Sequence, residues 1–205
     1  MPKKCIVISG GEYSPIEGVG SEDFVIACDK GCEYAARAGL VPDRIVGDFD
    51  SYAGPLPGGV PIERHQPEKD DTDTMLAIRY AVEQGFEELE LLCALGGRLD
   101  HALANIQAIS YAAVRGLHPW IKDGRTEMTV LTGGCLSLPR REGWALSVFS
   151  LSDECQGLCL RGTKYPLENA RLTNRFPLGV SNEWAADTVE IRLERGLLLV
   201  VLAKL

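Results

Sequence analysis

Basic residues are in the minority in this chain: 21 lysines and arginines stand against 29 acids, a formal net charge of -8. A nucleic-acid binder normally presents a basic face, so that class is set aside. No C-x-x-C pair occurs, and only three histidines (His65, His101 and His118) are present, which argues against a zinc site. The seven cysteines, an odd number, read as small buried thiols of a reducing compartment. No apolar run reaches membrane-spanning length, and the one in MPKKCIVISGG is too short for a signal peptide. The expectation is a cytoplasmic protein without membrane contact. Both common phosphate fingerprints are missing as well: there is no G-x-x-x-x-G-K-[ST], and GGEYSPIEGVG has the wrong spacing for G-x-G-x-x-G.

What is present is an ordinary globular composition, 45% hydrophobic and 24% charged over 205 residues, enough for one large domain or two small ones. Short apolar runs (KCIVISG, DFVIACDKG, DRIVGDFDS, ELELLCALGG) alternate with helical patterns. In TDTMLAIRYAVEQG, Met75, Ile78 and Val82 fall at helical spacing, with Asp71 or Thr72 as N-cap and Gly85 as a stop. LDHALANIQAISYAAVRG reads as a longer apolar-faced helix. This alternation predicts a mostly parallel sheet covered by helices. Past Gly133–Gly134 the pattern changes to β-type runs such as WALSVFSLS, TVEIRLERG and LLLVVLAKL, with no helical stretch. Two domains are therefore expected, 1–132 α/β and 133–205 all-β.

The segment PEKDDTDTMLAI places Asp70, Asp71 and Asp73 within four positions, where like charges repel unless something offsets them. Other acids stand at matching places: Asp29 after FVIAC, Asp48 and Asp50 after RIVG, Asp100 after ALGGRL. Ligands of open α/β sheets sit beyond the carboxyl ends of the strands, so parallel strands would bring these acids to one crevice. Such a set suits Mg2+, which takes oxygen ligands and keeps waters for a phosphate partner. Any single aspartate here has a plainer explanation as a cap or turn residue. In GGRLDH, Gly96 and Gly97 allow backbone amides to approach an anion, Arg98 offers a bidentate grip, and a helix starts near Asp100. Beside the acids this points to a Mg2+-polyphosphate ligand. Spacing alone makes His101 a packed first-turn histidine, with a phosphate contact or general base as the alternative. Lys69 either meets phosphate charge or is solvated beside its aspartates.

GDFDS (47–51), KDDTD (69–73), GGRLDH (96–101), Asn105, GTKYPL (162–167), GVSNEW (179–184) and ERGLLLVV near the C-terminus together resemble the signature blocks of thiamine pyrophosphokinases. The resemblance implies a Rossmann-like α/β domain followed by a β-sandwich, paired as a homodimer with the active site between subunits. It implies transfer of the terminal diphosphate of ATP to the hydroxyl of thiamine, with Mg2+ required and AMP released. By the same resemblance Asp48, Asp50, Asp70, Asp73 and Asp100 are metal ligands. Asp73, Asp100, Arg98 and Lys69 are catalytic. Asp29, Gly96, Gly97, Arg98, His101 and Asn105 contact ATP, and Ser181, Asn182 and Trp184 contact thiamine. Trp184 has a second reading, a tryptophan packed inside the sandwich, and Tyr165 reads as core or interface. A kinase for another small alcohol, or a binding regulator without chemistry, are the alternatives. The stretch from Gly10 to Gly20 is either a flap near the site or a long turn.

Overall fold

The computed structural model describes residues 4–49, 54–64 and 71–205. The chain divides into two compact units, Met1–Gly124 and Arg125–Leu205.

In the first unit, strands β1 (Lys4–Ile8), β2 (Phe24–Cys28), β3 (Arg44–Gly47), β4 (Ile62–Arg64), β5 (Glu88–Leu92) and β6 (His118–Lys122) run in the order β4-β3-β2-β1-β5-β6. Every pairing among them is parallel. Parallel strands covered on both faces need continuous apolar runs, and Cys5–Ile8 are fully buried. The covering helices are α1 (Gly31–Arg37), α2 (Asp73–Glu83) and α3 (Leu99–Val114). Thr72 caps α2, its hydroxyl accepting the Met75 N–H at 3.2 Å, and Gly85 follows the helix at φ 74°. Asp71, the other candidate cap, pairs with Arg79 at 2.8 Å instead. Ala77, Ile78 and Ala81 form the buried stripe that seats α2 on β1, β2 and β3. The strand order reverses between β1 and β5, which puts the crevice of this unit beyond the carboxyl ends of the central strands.

The Gly10–Gly20 segment is a packed turn. Gly11 and Glu12 donate their N–H groups to Cys93 and Leu95 carbonyls at 2.8 and 2.9 Å, and the Tyr34 hydroxyl donates to the Gly11 carbonyl at 2.8 Å. The Arg37 guanidinium lies 3.7 Å above the Tyr13 ring.

The second unit is antiparallel β throughout and sandwich-like: β7 (Thr126–Leu131), β8 (Gly134–Pro139), β9 (Trp144–Ser150), β10 (Glu154–Arg161), β11 (Leu167–Thr173), β12 (Thr188–Leu193) and β13 (Leu198–Lys204). One group runs β7-β13-β9, the other β11-β10-β12-β8. The division between units falls ahead of Gly133–Gly134, because β7 pairs along its whole length with β13. Strand β12 follows the two-residue period, with Val189, Ile191 and Leu193 buried and Thr188, Glu190 and Arg192 exposed.

Ile191→Ala therefore lowers unfolding free energy by about 2–5 kcal/mol in a denaturant titration, and Glu190→Ala changes it by less than about 0.5 kcal/mol. Equal effects at the two positions would contradict this register.

Candidate active site

Asp29 ends β2 in a left-handed conformation, φ 45°, with its N–H donating to the Val46 carbonyl of β3 at 3.1 Å. Its carboxylate turns toward the neighbouring strand end and accepts the N–H of Phe49, itself at φ 62°, at 3.1 Å. Gly47 makes this approach possible: a Cβ there would sit 2.0 Å from Asp29 Oδ1. The glycine of GDFDS is thus a requirement of the acid two strands' ends apart in sequence but adjacent in space. Asp48 follows directly. Asp73 arrives from a third direction, on the first turn of α2.

Asp29, Asp48 and Asp73 form one group, with a carboxylate oxygen from each lying within 4.8 Å of the others, all partly buried. Burial pushes the Asp29 carboxyl up to about 7, helped by its hydrogen bond with Asp73 and the negative charge of Asp73 and Asp48, against the Phe49 N–H. Crowding of partly buried negative charge disfavours the fully ionised group unless a positive charge offsets it. Three hard oxygen donors this close fit a divalent ion of the Mg2+ type.

Asp100 stands elsewhere. Arg98 grips it through Nε at 3.1 Å and Nη2 at 2.5 Å, and the His101 N–H donates to it at 3.0 Å. The Arg98 contact, with the His101 N–H, holds its carboxyl down at about 2. The reason is topological: α3 follows β5, which lies two places from β2 and three from β3. Among the described residues the close carboxylate group is Asp29 with Asp48 and Asp73, so Asp29, expected as a nucleotide contact, joins two of the expected metal ligands, while Asp100, expected with them, is held by Arg98. The sequence signal for Asp29 was available, since DKG follows an apolar run just as GDFDS does.

Gly96 and Gly97 both take left-handed φ, 79° and 62°, and Glu12 lies so near Gly96 that a Cβ there would be 2.5 Å from it. Asn105 is buried and donates through Nδ2 to the Ala94 carbonyl at 2.7 Å, pinning the turn from β5 into α3. His101 is exposed on the first turn of α3 rather than packed. Asp50, Lys69 and Asp70 lie outside the described residues.

In the second unit, Asn182 is buried. Its Oδ1 accepts the Tyr165 and Glu183 N–H groups, each at 3.0 Å, while Nδ2 donates to the Tyr165 carbonyl at 2.8 Å. Trp184 is also buried, its indole N–H donating to the Leu138 carbonyl at 3.5 Å. Ser181 is exposed at φ 57°, its N–H donating to Ser147 Oγ at 3.0 Å. Of the three residues expected at thiamine, Ser181 is exposed, while Asn182 and Trp184 are buried within this unit. Tyr165 is exposed and so lies outside the core of this unit. Among the described residues, no helix is long and apolar enough to cross a membrane.

Residues 18–118 match the family described as Thiamin pyrophosphokinase, catalytic domain, and residues 135–198 match Thiamin pyrophosphokinase, vitamin B1 binding domain. The chain is 29% identical over 182 residues to the thiamine pyrophosphokinase of Bacillus subtilis (strain 168), covering 86% of this chain and 85% of that protein. A crystal structure of thiamine pyrophosphokinase from Bacillus subtilis superimposes with a TM-score of 0.91 at 25% identity, covering 98% of this chain and 99% of the other. One from Geobacillus thermodenitrificans does so with 0.85 at 26% identity, covering 98% and 97%. Both matched segments, in this order and on this two-unit architecture, make the chain a member of the thiamin pyrophosphokinase family.

Proposed function

We propose that the chain is an ATP:thiamine diphosphotransferase whose centre is the Asp29–Asp48–Asp73 group. The observation that carries this reading is the convergence of those carboxylates at the carboxyl end of the parallel sheet, within the stretch that matches the family's catalytic domain. The thiamine hydroxyl oxygen bonds to the β-phosphorus of ATP, the bond from that phosphorus to the α–β bridging oxygen breaks, and AMP leaves. The hydroxyl proton passes to a carboxylate of the site. Such a transfer asks the protein mainly to position the reactants and to balance phosphate charge.

Asp29, Asp48 and Asp73 would hold the divalent ion, Mg2+ in this reading, with Asp50 and Asp70 as further acids of the same motifs. Bound there, the ion supplies charge neutralisation for the diphosphate being transferred. Arg98 offers a planar guanidinium to phosphate oxygens, and Asp100 holds it in place until a phosphate replaces the carboxylate. Lys69 of KDDTD is a further candidate for meeting phosphate charge. Gly96 and Gly97 shape the turn at the ATP, with Asn105 as its anchor and His101 exposed beside it. Ser181 meets thiamine, and Asn182 holds the loop that presents it. We further read the enzyme as a homodimer with the site completed between subunits.

Incubation with thiamine, ATP and Mg2+ is expected to yield thiamine diphosphate and AMP in equal amounts. ADP with thiamine monophosphate, or binding without turnover, would overturn the assignment. Asp73→Asn keeps the fold and lowers turnover by about 100-fold or more, because it removes a charge worth several kcal/mol at the transferring group without changing volume. Activity near that of the parent would take Asp73 out of the mechanism. The pH dependence has a definite sign. The Asp29 carboxyl is raised from 3.8 to about 7 on folding, so the protonated form belongs to the folded state. Stability of the metal-free protein is thus full below pH 4 as far as this group is concerned, and its contribution is lost as pH rises towards 7. Asp29→Asn flattens that decline in melting temperature, and an unchanged slope would assign it to other groups.

A further inference from the structure

The three acids of the centre come from different kinds of element. Asp29 and Asp48 extend strands locked by the β2–β3 ladder, Ala27 with Ile45 and Cys28 with Val46, and are tied again by the Asp29 N–H on Val46 and the Phe49 N–H on Asp29. Asp73 hydrogen-bonds with Asp29 and rides on α2, which meets the sheet through Ala77, Ile78 and Ala81. Apolar contact of this kind is non-directional. The next residue, Thr74, supplies direction. Its hydroxyl lies 2.9 Å from the hydroxyl of Ser9, one residue beyond β1, and both residues are buried. Ser9 is itself anchored, its N–H donating to the Leu92 carbonyl of β5 at 2.9 Å.

A buried hydroxyl pair adds little net stability, since replacing both partners by apolar groups of similar shape is nearly neutral. Its presence beside Asp73 calls for a different explanation. We infer that Ser9 and Thr74 are positioning residues: their hydrogen bond fixes the first turn of α2 on the end of β1 and so sets Asp73 at the spacing from Asp29 and Asp48 that a divalent cation requires. The inference rests on the reading of that group as a cation site. It follows the general behaviour of residues that orient metal ligands, whose loss weakens affinity by about 10- to 100-fold.

The test compares the parent protein, Ser9→Ala/Thr74→Val, and Thr74→Ser, measuring Mn2+ affinity from the free-ion electron paramagnetic resonance signal alongside melting temperature. The double variant removes both hydroxyls together, so neither is left unpaired. It is expected to melt close to the parent yet bind Mn2+ about 10-fold more weakly. Thr74→Ser keeps a hydroxyl and retains parental affinity. Parental Mn2+ affinity in the double variant overturns the inference, as does a loss in Thr74→Ser equal to that of the double variant. Should the double variant fail to fold, Ser9→Ala alone carries the same comparison. Failure of the cation reading itself is recognised separately: the parent then binds no Mn2+, and the inference falls with it.

Discussion

Three carboxylates with oxygens within 4.8 Å of one another repel, and that repulsion must be resisted by structure stiffer than the force it opposes. The first unit supplies the stiffness by ending two adjacent parallel strands in acids and closing a helix start upon them. Strand spacing is set by backbone hydrogen bonds, so Asp29 and Asp48 cannot separate without breaking the ladder. Gly47 is where the compression is visible, since no side chain fits between its backbone and the Asp29 carboxylate. Burial first, and then the hydrogen bond with Asp73 and the charges of Asp73 and Asp48, push the Asp29 carboxyl up.

Much of this was legible in the sequence because the governing patterns are local. An apolar run followed by an aspartate reads directly as a strand end carrying an acid, and Met75, Ile78 and Val82 mark α2 without reference to the rest of the chain. What the residues alone do not encode is strand order. Asp29, Asp48, Asp73 and Asp100 look equivalent until the order β3-β2-β1-β5 sets the α3 start apart from the others. Strand β4 was not anticipated, being three residues long and largely exposed at the sheet edge.

The second unit was harder to read in detail. Strand β12 keeps a clean alternation and was evident, whereas β10 shifts register against β11 between Cys155 and Leu158 and again between Leu158 and Leu160. Such irregularities break the two-residue period on which strand recognition depends. The family motif around Ser181–Asn182–Trp184 was legible as a motif, but not which of its side chains turn inward. Asn182 turns inward to pair both backbone groups of Tyr165, and the Trp184 indole N–H meets the Leu138 carbonyl of β8.

Strand β13 occupies the middle of the β7-β13-β9 group, and its residues are among the last in the chain. Leu198 faces Leu131, a separation of 67 positions (198 − 131), so both antiparallel ladders of this group are long-range in sequence. During synthesis the α/β half has emerged and can collapse while this sheet still lacks its centre. Each ladder of β13 therefore closes a long loop of chain, an entropic cost that local propensity does not offset.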